Sequence, residues 1–283
     1  MRNLEITTRI GCKNMCSWCP QKAFMNAYHT EKGKNVILNF DIFKKCVDKL
    51  PNDVRITFSG MSEPWLSKDM TKMLLYVYKK GFKGLRIYTT AVGMDIRDID
   101  KIKKIPFEKF VVHLSDADNN ALIPVTKNHK AVLLKIKKSH IKNCSYMTMG
   151  TLHKDLVEEF GAMCVTPQIL SKAGNLKGTK KIHNRGPITC NSEYGLKHSM
   201  LLPNGDVYLC CMDNSLEYRL GNLLQGSYDS LYAGDAFKLI EKKLKDEKYG
   251  DVLCRHCEMA IVDNYKRYLR PIKKLFLKLK LKN

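Results

Sequence analysis

The sequence predicts an α/β fold built on a parallel sheet, and three observations lead to this expectation. Short runs of apolar and β-branched residues alternate with helical patterns through the first 170 residues. Strands that alternate with helices are joined by right-handed crossovers, and such crossovers make the sheet parallel. The 283-residue chain is 44% hydrophobic, so it can bury a full core.

Six candidate strands follow one another in this part of the chain. They are expected at Leu4–Ile10, Val54–Ser59, Leu85–Thr90, Phe110–Leu114, Ser145–Met149 and Cys164–Ile169. Helical patterns lie between them at Ile42–Leu50, Asp69–Lys80, Ile96–Ile102, Val125–Lys138 and Lys154–Phe160. In the second helix Met70, Met73 and Val77 recur at the spacing of one helix face. Loops at the carboxyl ends of such strands usually carry the chemistry.

The pattern changes after about residue 175, where several glycines and a proline interrupt regular structure. Ser199–Leu202 and Val207–Cys211 then flank the turn sequence Pro203-Asn204-Gly205-Asp206. This arrangement predicts a β-hairpin, because Asn-Gly tolerates the positive φ values that a tight turn needs. A helical pattern follows at Ala236–Lys245. We therefore expect a second, smaller unit after the parallel sheet.

Charge and hydropathy limit the classes of protein that fit. Forty-nine Lys and Arg residues against 28 Asp and Glu give a net charge of +21, which attracts polyanions. Nucleic acid is not favoured, because no aromatic stacking series accompanies the basic residues. No run of about 18 apolar residues exists, so no membrane-spanning helix is expected. Eleven residues precede Cys12 and include charged ones, so we expect no secretory signal and a cytoplasmic location.

Eleven cysteines are many for a protein in a reducing compartment, where they indicate metal binding or catalysis and not disulfides. Three lie within the first 19 residues, and five lie between Cys190 and Cys257. The scattered Cys46, Cys144 and Cys164 are expected to act as small buried hydrophobic residues.

The first cysteine group has the spacing C-x3-C-x2-C, formed by Cys12, Cys16 and Cys19. Three thiolates do not complete a structural zinc site, which takes four protein ligands. They can hold three irons of a [4Fe–4S] cluster and leave the fourth iron open, whereas a ferredoxin loop runs C-x2-C-x2-C. The alternative is a zinc knuckle that takes a distant fourth ligand such as His29.

This spacing, with Trp18 just before the last cysteine, resembles the signature of the radical S-adenosylmethionine (SAM) superfamily. The resemblance implies an open, partial (β/α)6 TIM-like barrel over residues 1–175, with the cluster loop after the first strand. It also implies that SAM binds the open iron and is cleaved by one electron to a 5′-deoxyadenosyl radical. Flavodoxin or ferredoxin would supply that electron. The backbone at Trp18 is expected to meet the adenine edge.

A second segment, Gly60-Met61-Ser62-Glu63-Pro64, resembles the "GGEP" segment of this superfamily. Gly60 lets the backbone approach the SAM ammonium, and the Glu63 carboxylate can accept its hydrogen bonds. Met61 and Ser62 belong to the same candidate SAM site. The alternative is an ordinary strand–helix loop.

Two further strand ends match the superfamily more loosely. Thr90 ends the third strand, where relatives often carry Thr-Asn-Gly. Ser115 follows the fourth strand, where relatives carry residues near the SAM carboxylate or ribose. Both are candidate SAM-binding residues.

The later cysteines resemble the SPASM/Twitch extension, which carries auxiliary iron–sulfur clusters. The resemblance places this extension at residues 176–262, a small β-hairpin and helix unit. Five cysteines are too few for two clusters, and four of them suffice for one auxiliary [4Fe–4S] cluster: Cys190, Cys210, Cys254 and Cys257. Cys211 could replace Cys210, although the hairpin register favours Cys210. Zinc is the alternative for four cysteines that end in C-x2-C.

Together these features predict a radical SAM oxidoreductase that dehydrogenates a small, anionic or sugar-like substrate, with the auxiliary cluster as electron acceptor. Ser171-Lys172-Ala173-Gly174-Asn175 resembles the family's Ser-Arg-Ala-Gly-Asn segment, and Lys172 is the candidate base or substrate anchor.

One alternative function is peptide modification, by thioether or carbon–carbon bond formation or by epimerisation. An epimerase needs a hydrogen-atom donor such as Cys144, Cys164 or Cys211. Relatives that modify peptides often carry a leader-binding domain before the cluster loop; with eleven residues before Cys12, we expect this module to be absent or separate, which favours a small-molecule substrate.

Two other expectations concern binding partners. Residues 263–283 form a basic amphipathic tail that could contact an anionic membrane surface. The alternative is a C-terminal helix that docks on the barrel or frays. From a different functional class, a basic zinc-stabilised nucleic-acid-binding protein would show bound zinc, no SAM cleavage and salt-dependent binding.

Overall fold

The computed structural model describes residues 2–31, 35–193 and 195–263. The strands are β1 (Asn3–Ile6), β2 (Arg55–Phe58), β3 (Leu85–Thr89), β4 (Lys109–His113), β5 (Cys144–Met147), β6 (Cys164–Val165), β7 (Ile188–Cys190), β8 (His198–Leu201), β9 (Asp206–Tyr208), β10 (Arg219–Asn222) and β11 (Ala260–Val262). The helices are α1 (Gln21–Glu31), α2 (Phe40–Val47), α3 (Met70–Lys79), α4 (Ile96–Ile102), α5 (Lys127–Lys138), α6 (Lys154–Phe160), α7 (Ser230–Ala233) and α8 (Asp235–Lys245). In this part of the chain no helix is both long and apolar enough to span a bilayer.

The six predicted strands form a parallel sheet in the order β1-β2-β3-β4-β5-β6. The sheet does not close, because β6 and β10 form its two edges, so the barrel is partial as predicted. The predicted helices at Ile96–Ile102 and Lys154–Phe160 have the same bounds in the structure. Both β1 and β6 are shorter than predicted, and β6 has only two residues. The helix α1 has no counterpart among the predicted helices.

The predicted β-hairpin is present, and it extends the main sheet. Strand β8 pairs in parallel with β1, with Asn3 opposite His198 and Ile6 opposite Leu201. Strands β9 and β10 then continue the sheet in antiparallel fashion. The parts of the chain before and after residue 175 therefore share one nine-stranded sheet. The division into domains at that residue stays a prediction.

The apolar core lies between the sheet and its outer helices. The predicted apolar face of α3 is fully buried, with Met70, Met73 and Val77 at 0% exposure. Because β1 now has neighbours on both edges, all four of its residues are buried. A charged residue in this strand, Glu5, is consequently held inside the molecule at 5% exposure.

The C-terminal part of the fold contains a second sheet of two strands. Strand β7 pairs antiparallel with β11, and Cys190 lies opposite Ala260. The segment just before β11 contains Cys254 and Cys257, so this pairing brings the first and last cysteines of the second group to one place. The predicted basic tail falls almost wholly on residues 264–283, outside the described residues.

Candidate functional site

A cavity of about 730 Å³ opens inside the partial barrel. This volume is in the range of small-molecule sites in proteins. Both predicted cysteine groups line its wall: Cys12, Cys16, Cys19, Cys190, Cys210, Cys254 and Cys257. The structure therefore brings together two groups that are more than 170 residues apart in sequence.

The first cysteine group lies on the loop between β1 and α1. Local bonds shape this loop, since the Cys19 amide donates to the Cys16 carbonyl at 3.0 Å. Two hydrogen bonds between residues far apart in sequence anchor the loop to the segment after β4. The Ser17 amide donates to Asn120 O at 2.7 Å, and the Leu122 amide donates to Asn14 O at 2.6 Å. The loop is thus held over the carboxyl end of the sheet.

The electrostatics of this loop suit a bound cation. Burial, followed by the sulfurs of Cys19 and Cys12, raises the pKa of the Cys16 thiol to about 12. Burial also raises the pKa of Cys19, although the nearby Lys172 ammonium opposes this shift. Thiols that repel one another as thiolates need positive charge to be held together in that form, which iron supplies.

The sulfur atoms of both groups are spread more widely than one zinc ion allows. Sulfurs bound tetrahedrally to zinc at about 2.3 Å lie ~3.8 Å apart. Among the residues that the structure describes, no three of the seven cysteines have all their sulfurs within 4.8 Å of one another. His29 lies exposed in α1 and belongs to no such cluster either. The arrangement fits a larger iron–sulfur cluster better than the zinc alternatives.

The Gly60–Pro64 segment follows β2 and lines the cavity beside the cysteine loop. Gly60 has a φ of +56°, and a Cβ there would lie 2.3 Å from Thr7 Oγ1. The Met61 amide donates to the same Thr7 hydroxyl at 3.3 Å, and the Met61 carbonyl accepts from Gln21 Nε2 at 2.7 Å. The segment is therefore packed tightly against Thr7, just after β1, and against α1; that its backbone also approaches the SAM ammonium stays a prediction.

Glu63 is almost fully buried, at 4% exposure, and its carboxylate already has four hydrogen bonds. Oε1 accepts from Thr89 Oγ1 at 2.5 Å and from the Trp65 amide at 3.2 Å. Oε2 accepts from the amide and the hydroxyl of Thr90 at 2.6 and 2.8 Å. Burial nevertheless raises the pKa of Glu63. The carboxylate joins the ends of β2 and β3, a role that the sequence did not indicate; that it also binds the SAM ammonium stays a prediction.

Several cavity-lining polar atoms have no hydrogen-bond partner within the described part of the chain. They are Asn14 Oδ1, Gln21 Oε1, Ser62 Oγ and His113 Nε2. Buried polar atoms without partners are costly, so these atoms suit a ligand that carries donor and acceptor groups. The amino, carboxylate and hydroxyl groups of SAM provide both, and the residues present therefore fit this cofactor.

Of three candidate SAM-binding residues, Trp18 and Thr90 line the cavity and Ser115 does not; their contacts with SAM stay predictions. The Trp18 ring stacks at a tilt on His113, with centroids 5.1 Å apart. The buried Ser115 hydroxyl donates to Ile123 O at 3.1 Å and borders a separate, smaller cavity.

The second cysteine group closes the other side of the cavity. Burial, followed by the Cys190 and Cys257 sulfurs, raises the pKa of Cys254 to about 12. These three cysteines are therefore near neighbours. Cys210 and Cys211 follow β9, and both line the cavity. Neither Cys144 nor Cys164 does; both pack against the apolar core, as does the fully buried Cys46.

The cavity wall contains an ion pair between Glu5 and His198 that was not predicted from the sequence. Glu5 Oε2 lies 2.8 Å from His198 Nε2, and Glu5 Oε1 accepts from the Ser59 hydroxyl and from the Gly60 amide, the latter at 2.8 Å. Burial opposes ionisation of Glu5, but His198 outweighs it and the pKa falls to about 2. Burial likewise opposes protonation of His198, but Cys211 and Glu5 raise its pKa to about 9. The only sequence signal was a charged residue in an otherwise buried strand.

Comparison with known proteins is consistent with this geometry. Residues 190–258 match the family model of SPASM, an iron–sulfur cluster-binding domain. No curated protein matches the chain significantly in sequence.

Solved structures match over most of the chain. BtrN in complex with AdoMet and 2-DOIA is 17% identical with a TM-score of 0.61, covering 92% of each chain. Native anSMEcpe with bound AdoMet and Cp18Cys peptide is 15% identical, with a TM-score of 0.55, covering 90% of this chain and 87% of that one. Streptococcus suis SuiB bound to precursor peptide SuiA is 14% identical, with a TM-score of 0.61 and coverage of 91% and 69%.

At these identities the solved structures establish the fold. Residues 190–258 match the SPASM domain, which binds iron–sulfur clusters, and the chain as a whole shares its fold with these solved structures.

Replacing Gly60 by Ala tests the close approach at the candidate SAM site. The added Cβ would lie 2.3 Å from Thr7 Oγ1 and 2.8 Å from Thr7 Cα, so the loop must move. We expect SAM affinity, measured by isothermal titration on the reconstituted protein, to fall by about tenfold or more, together with a loss of stability above ~1–2 kcal/mol.

Gly178→Ala is the matched control, because Gly178 has a φ of +79° and no atom within 4 Å of the added Cβ. It should show the backbone strain alone and unchanged SAM binding. Equal SAM affinity in the two variants would contradict the role given to Gly60.

Proposed function

We propose that the protein is a radical SAM oxidoreductase that dehydrogenates a small, polar substrate. The observation that carries this proposal is the placement of both cysteine groups on one cavity wall. Cys12, Cys16 and Cys19 would hold the SAM-binding [4Fe–4S] cluster. The auxiliary [4Fe–4S] cluster would be held by Cys190, Cys210, Cys254 and Cys257. When bound, these cofactors would supply a 5′-deoxyadenosyl radical that removes a hydrogen atom and an acceptor for the second electron.

The chain itself contributes position and exclusion of water. The cysteine loop is tied to the segment after β4, and the Glu63 carboxylate ties β2 to β3, so the SAM side of the cavity is preorganised. A substrate would lie between this side and the second cysteine group. The electron donor would be a flavodoxin or a ferredoxin, whose acidic surface suits a chain of net charge +21.

Charged side chains on the cavity wall favour a polar substrate. The charged residues on the wall include Arg86, Lys109, Lys172, Glu5 and Glu193. Glu5 is paired with His198 and Glu193 with Arg86, so Lys109 and Lys172 are the groups among these that a substrate can engage without breaking such a pair. The ammonium groups of these lysines can bond to an anionic or sugar-like molecule. This supports a small polyhydroxylated or phosphorylated substrate.

Lys172 is the proposed anchor for the substrate. It lines the cavity and lies close enough to Cys19 to affect the pKa of that thiol. Its backbone is left-handed, with a φ of +55°, and Asn175 holds this turn by donating from Nδ2 to the Lys172 carbonyl at 2.9 Å. Ser171 is fixed through its amide, which donates to Glu258 at the edge of the second cysteine group. The Lys172 side chain therefore lies between the first and the second cysteine group.

One observation favours a second candidate function, epimerisation. Of the three cysteines considered as hydrogen-atom donors, only Cys211 lines the cavity. A thiol that returned a hydrogen atom to the substrate would invert a carbon centre without net oxidation. Peptide modification is a further alternative, since SuiB and anSMEcpe have been solved with bound peptides.

Isotope tracing separates these outcomes. Reconstituted enzyme, SAM and a reductant are incubated in D2O with a panel of sugars, cyclitols and their phosphates, and products are analysed by mass spectrometry. We expect a product lighter by two hydrogen atoms without solvent deuterium at carbon. A substrate deuterated at carbon should pass its label to 5′-deoxyadenosine. A product of unchanged oxidation state with one solvent deuterium would instead establish an epimerase.

Replacing Lys172 by Met tests the anchor. Loss of a charge-assisted hydrogen bond costs about 1.5–3 kcal/mol, so KM for the substrate should rise about 10- to 100-fold. SAM cleavage without substrate should persist at the wild-type rate.

Lys177→Met is the matched control, because Lys177 is an exposed lysine five residues further along that does not line the cavity. An unchanged KM in Lys172→Met, or the same change in both variants, would contradict the role of Lys172.

A further inference from the structure

Three side chains outside the cavity form a cluster of the kind that can bind a metal ion. His183, Asp251 and His256 each offer one nitrogen or oxygen atom, and these atoms all lie within 4.8 Å of one another. The His183 and His256 ring centroids are 5.2 Å apart, and His256 Nε2 lies 2.7 Å from Asp251 Oδ2. All three residues belong to the described part of the chain, and none of them lines the cavity. The cluster therefore lies outside the proposed SAM and substrate site.

Two segments that are bonded to each other carry this cluster. His183 lies in the loop before β7, whereas Asp251 and His256 lie in the segment before β11. The Asn184 amide donates to Arg255 O at 2.7 Å, and Arg255 Nη1 donates to Asn184 O at 3.0 Å. Arg255 is 1% exposed, so this junction is buried. The fold itself therefore brings the three side chains together.

The hydrogen bond at the other ring nitrogen of His256 suits metal binding. Nδ1 lies 3.1 Å from Ile182 O, and a carbonyl oxygen only accepts, so Nδ1 carries a hydrogen atom. In the neutral ring the lone pair is then on Nε2, the nitrogen beside Asp251. Metal-binding histidines typically donate their other N–H in this way, which fixes the orientation of the ring. His256 Nε2 is therefore directed toward the position that a metal shared with Asp251 would occupy.

We propose that His183, Asp251 and His256 bind one zinc ion at a site that does not depend on the proposed function. Imidazole and carboxylate groups are typical ligands of zinc, whereas Mg²⁺ and Ca²⁺ prefer oxygen ligands alone. Ligand atoms bound tetrahedrally to zinc at about 2.0–2.1 Å lie ~3.4 Å apart, so the His256–Asp251 contact must open slightly. These side chains have room to move, because that of Asp251 is 59% exposed and that of His256 is 35% exposed. Water would complete the coordination.

Zinc at this position would join the loop before β7 to the segment of the second cysteine group. The loop contains the exposed Lys180 and Lys181, at which trypsin can cleave. The turn at Lys172 also lies close to this segment, since a Cβ added to Gly174 would be 3.9 Å from His256 Cβ. The metal would therefore restrain the loop that follows the Lys172 turn.

The test measures zinc binding to the reconstituted holoenzyme, in which the clusters occupy the cysteine ligands. Loosely bound metal is removed with a chelator, and zinc sulfate is then titrated anaerobically in a calorimeter. We expect one zinc ion per chain and an unchanged iron content. The zinc affinity should fall by at least about tenfold in His183→Gln and in Asp251→Asn, because losing a group that merely orients a metal ligand already costs about 10- to 100-fold.

His153→Gln is the matched control. It removes another histidine beside a carboxylate, with Nδ1 3.9 Å from Asp155 Oδ2, but within the described residues this pair has no third metal ligand. Its zinc affinity should equal that of the wild type. Zinc should also slow tryptic cleavage at Lys180 and Lys181 in the wild type and in this control, and it should have no such effect in the two ligand variants. An equal cleavage rate with and without zinc in the wild type would overturn the restraint on the loop.

A wild-type holoenzyme that binds no zinc would overturn the inference, as would unchanged zinc affinity in either ligand variant. X-ray absorption at the zinc edge should show nitrogen and oxygen ligands only. Sulfur ligands at about 2.3 Å would place the zinc at the cysteines and would also contradict the proposed site. Failure of the proposed function is distinguishable, because absence of the clusters is recognised from the iron content before zinc is added.

Discussion

The buried carboxylate of Glu5 is the interaction on which the two sides of the cavity depend. It lies in β1, the strand that joins the parallel barrel to the β8–β10 extension. One oxygen holds Ser59 and Gly60 on the SAM side, and the other holds His198 beside the second cysteine group. A single buried charge therefore aligns two sites that the chain builds from distant segments. Because loss of either partner would leave an unpaired buried charge, breaking this pair is costly.

Local sequence patterns predict most of the helices and strands of the fold. Strand–helix alternation, the apolar face of α3 and the Asn204-Gly205 turn each predict an element that the structure contains. The two cysteine groups could also be predicted from the sequence, because the spacing of metal ligands is a property of short segments. Trp18 lies inside the first cysteine motif, and Gly60 could be predicted because it lies in another short motif, Gly60–Pro64.

Features that depend on contacts between distant parts of the chain could not be predicted from the sequence. The parallel pairing of β8 with β1 links residues about 195 apart, and nothing local in the His198–Leu201 segment indicates its partner. The Glu5–His198 pair and the Glu63 network arise only from such pairings. Ser115 illustrates the same limit, because a strand-end position does not by itself place a residue at the cavity: its hydroxyl donates to Ile123 O, and it borders a separate, smaller cavity.

The most direct test of the account is the iron, sulfide and zinc content per chain after anaerobic reconstitution. It is made on the wild-type protein and on the Cys12→Ala/Cys16→Ala/Cys19→Ala variant. Two [4Fe–4S] clusters in one cavity predict about eight irons, falling to about four in the variant. About four irons falling to none, with zinc present, would reduce the second group to a structural site. Zinc alone in both proteins would contradict the account.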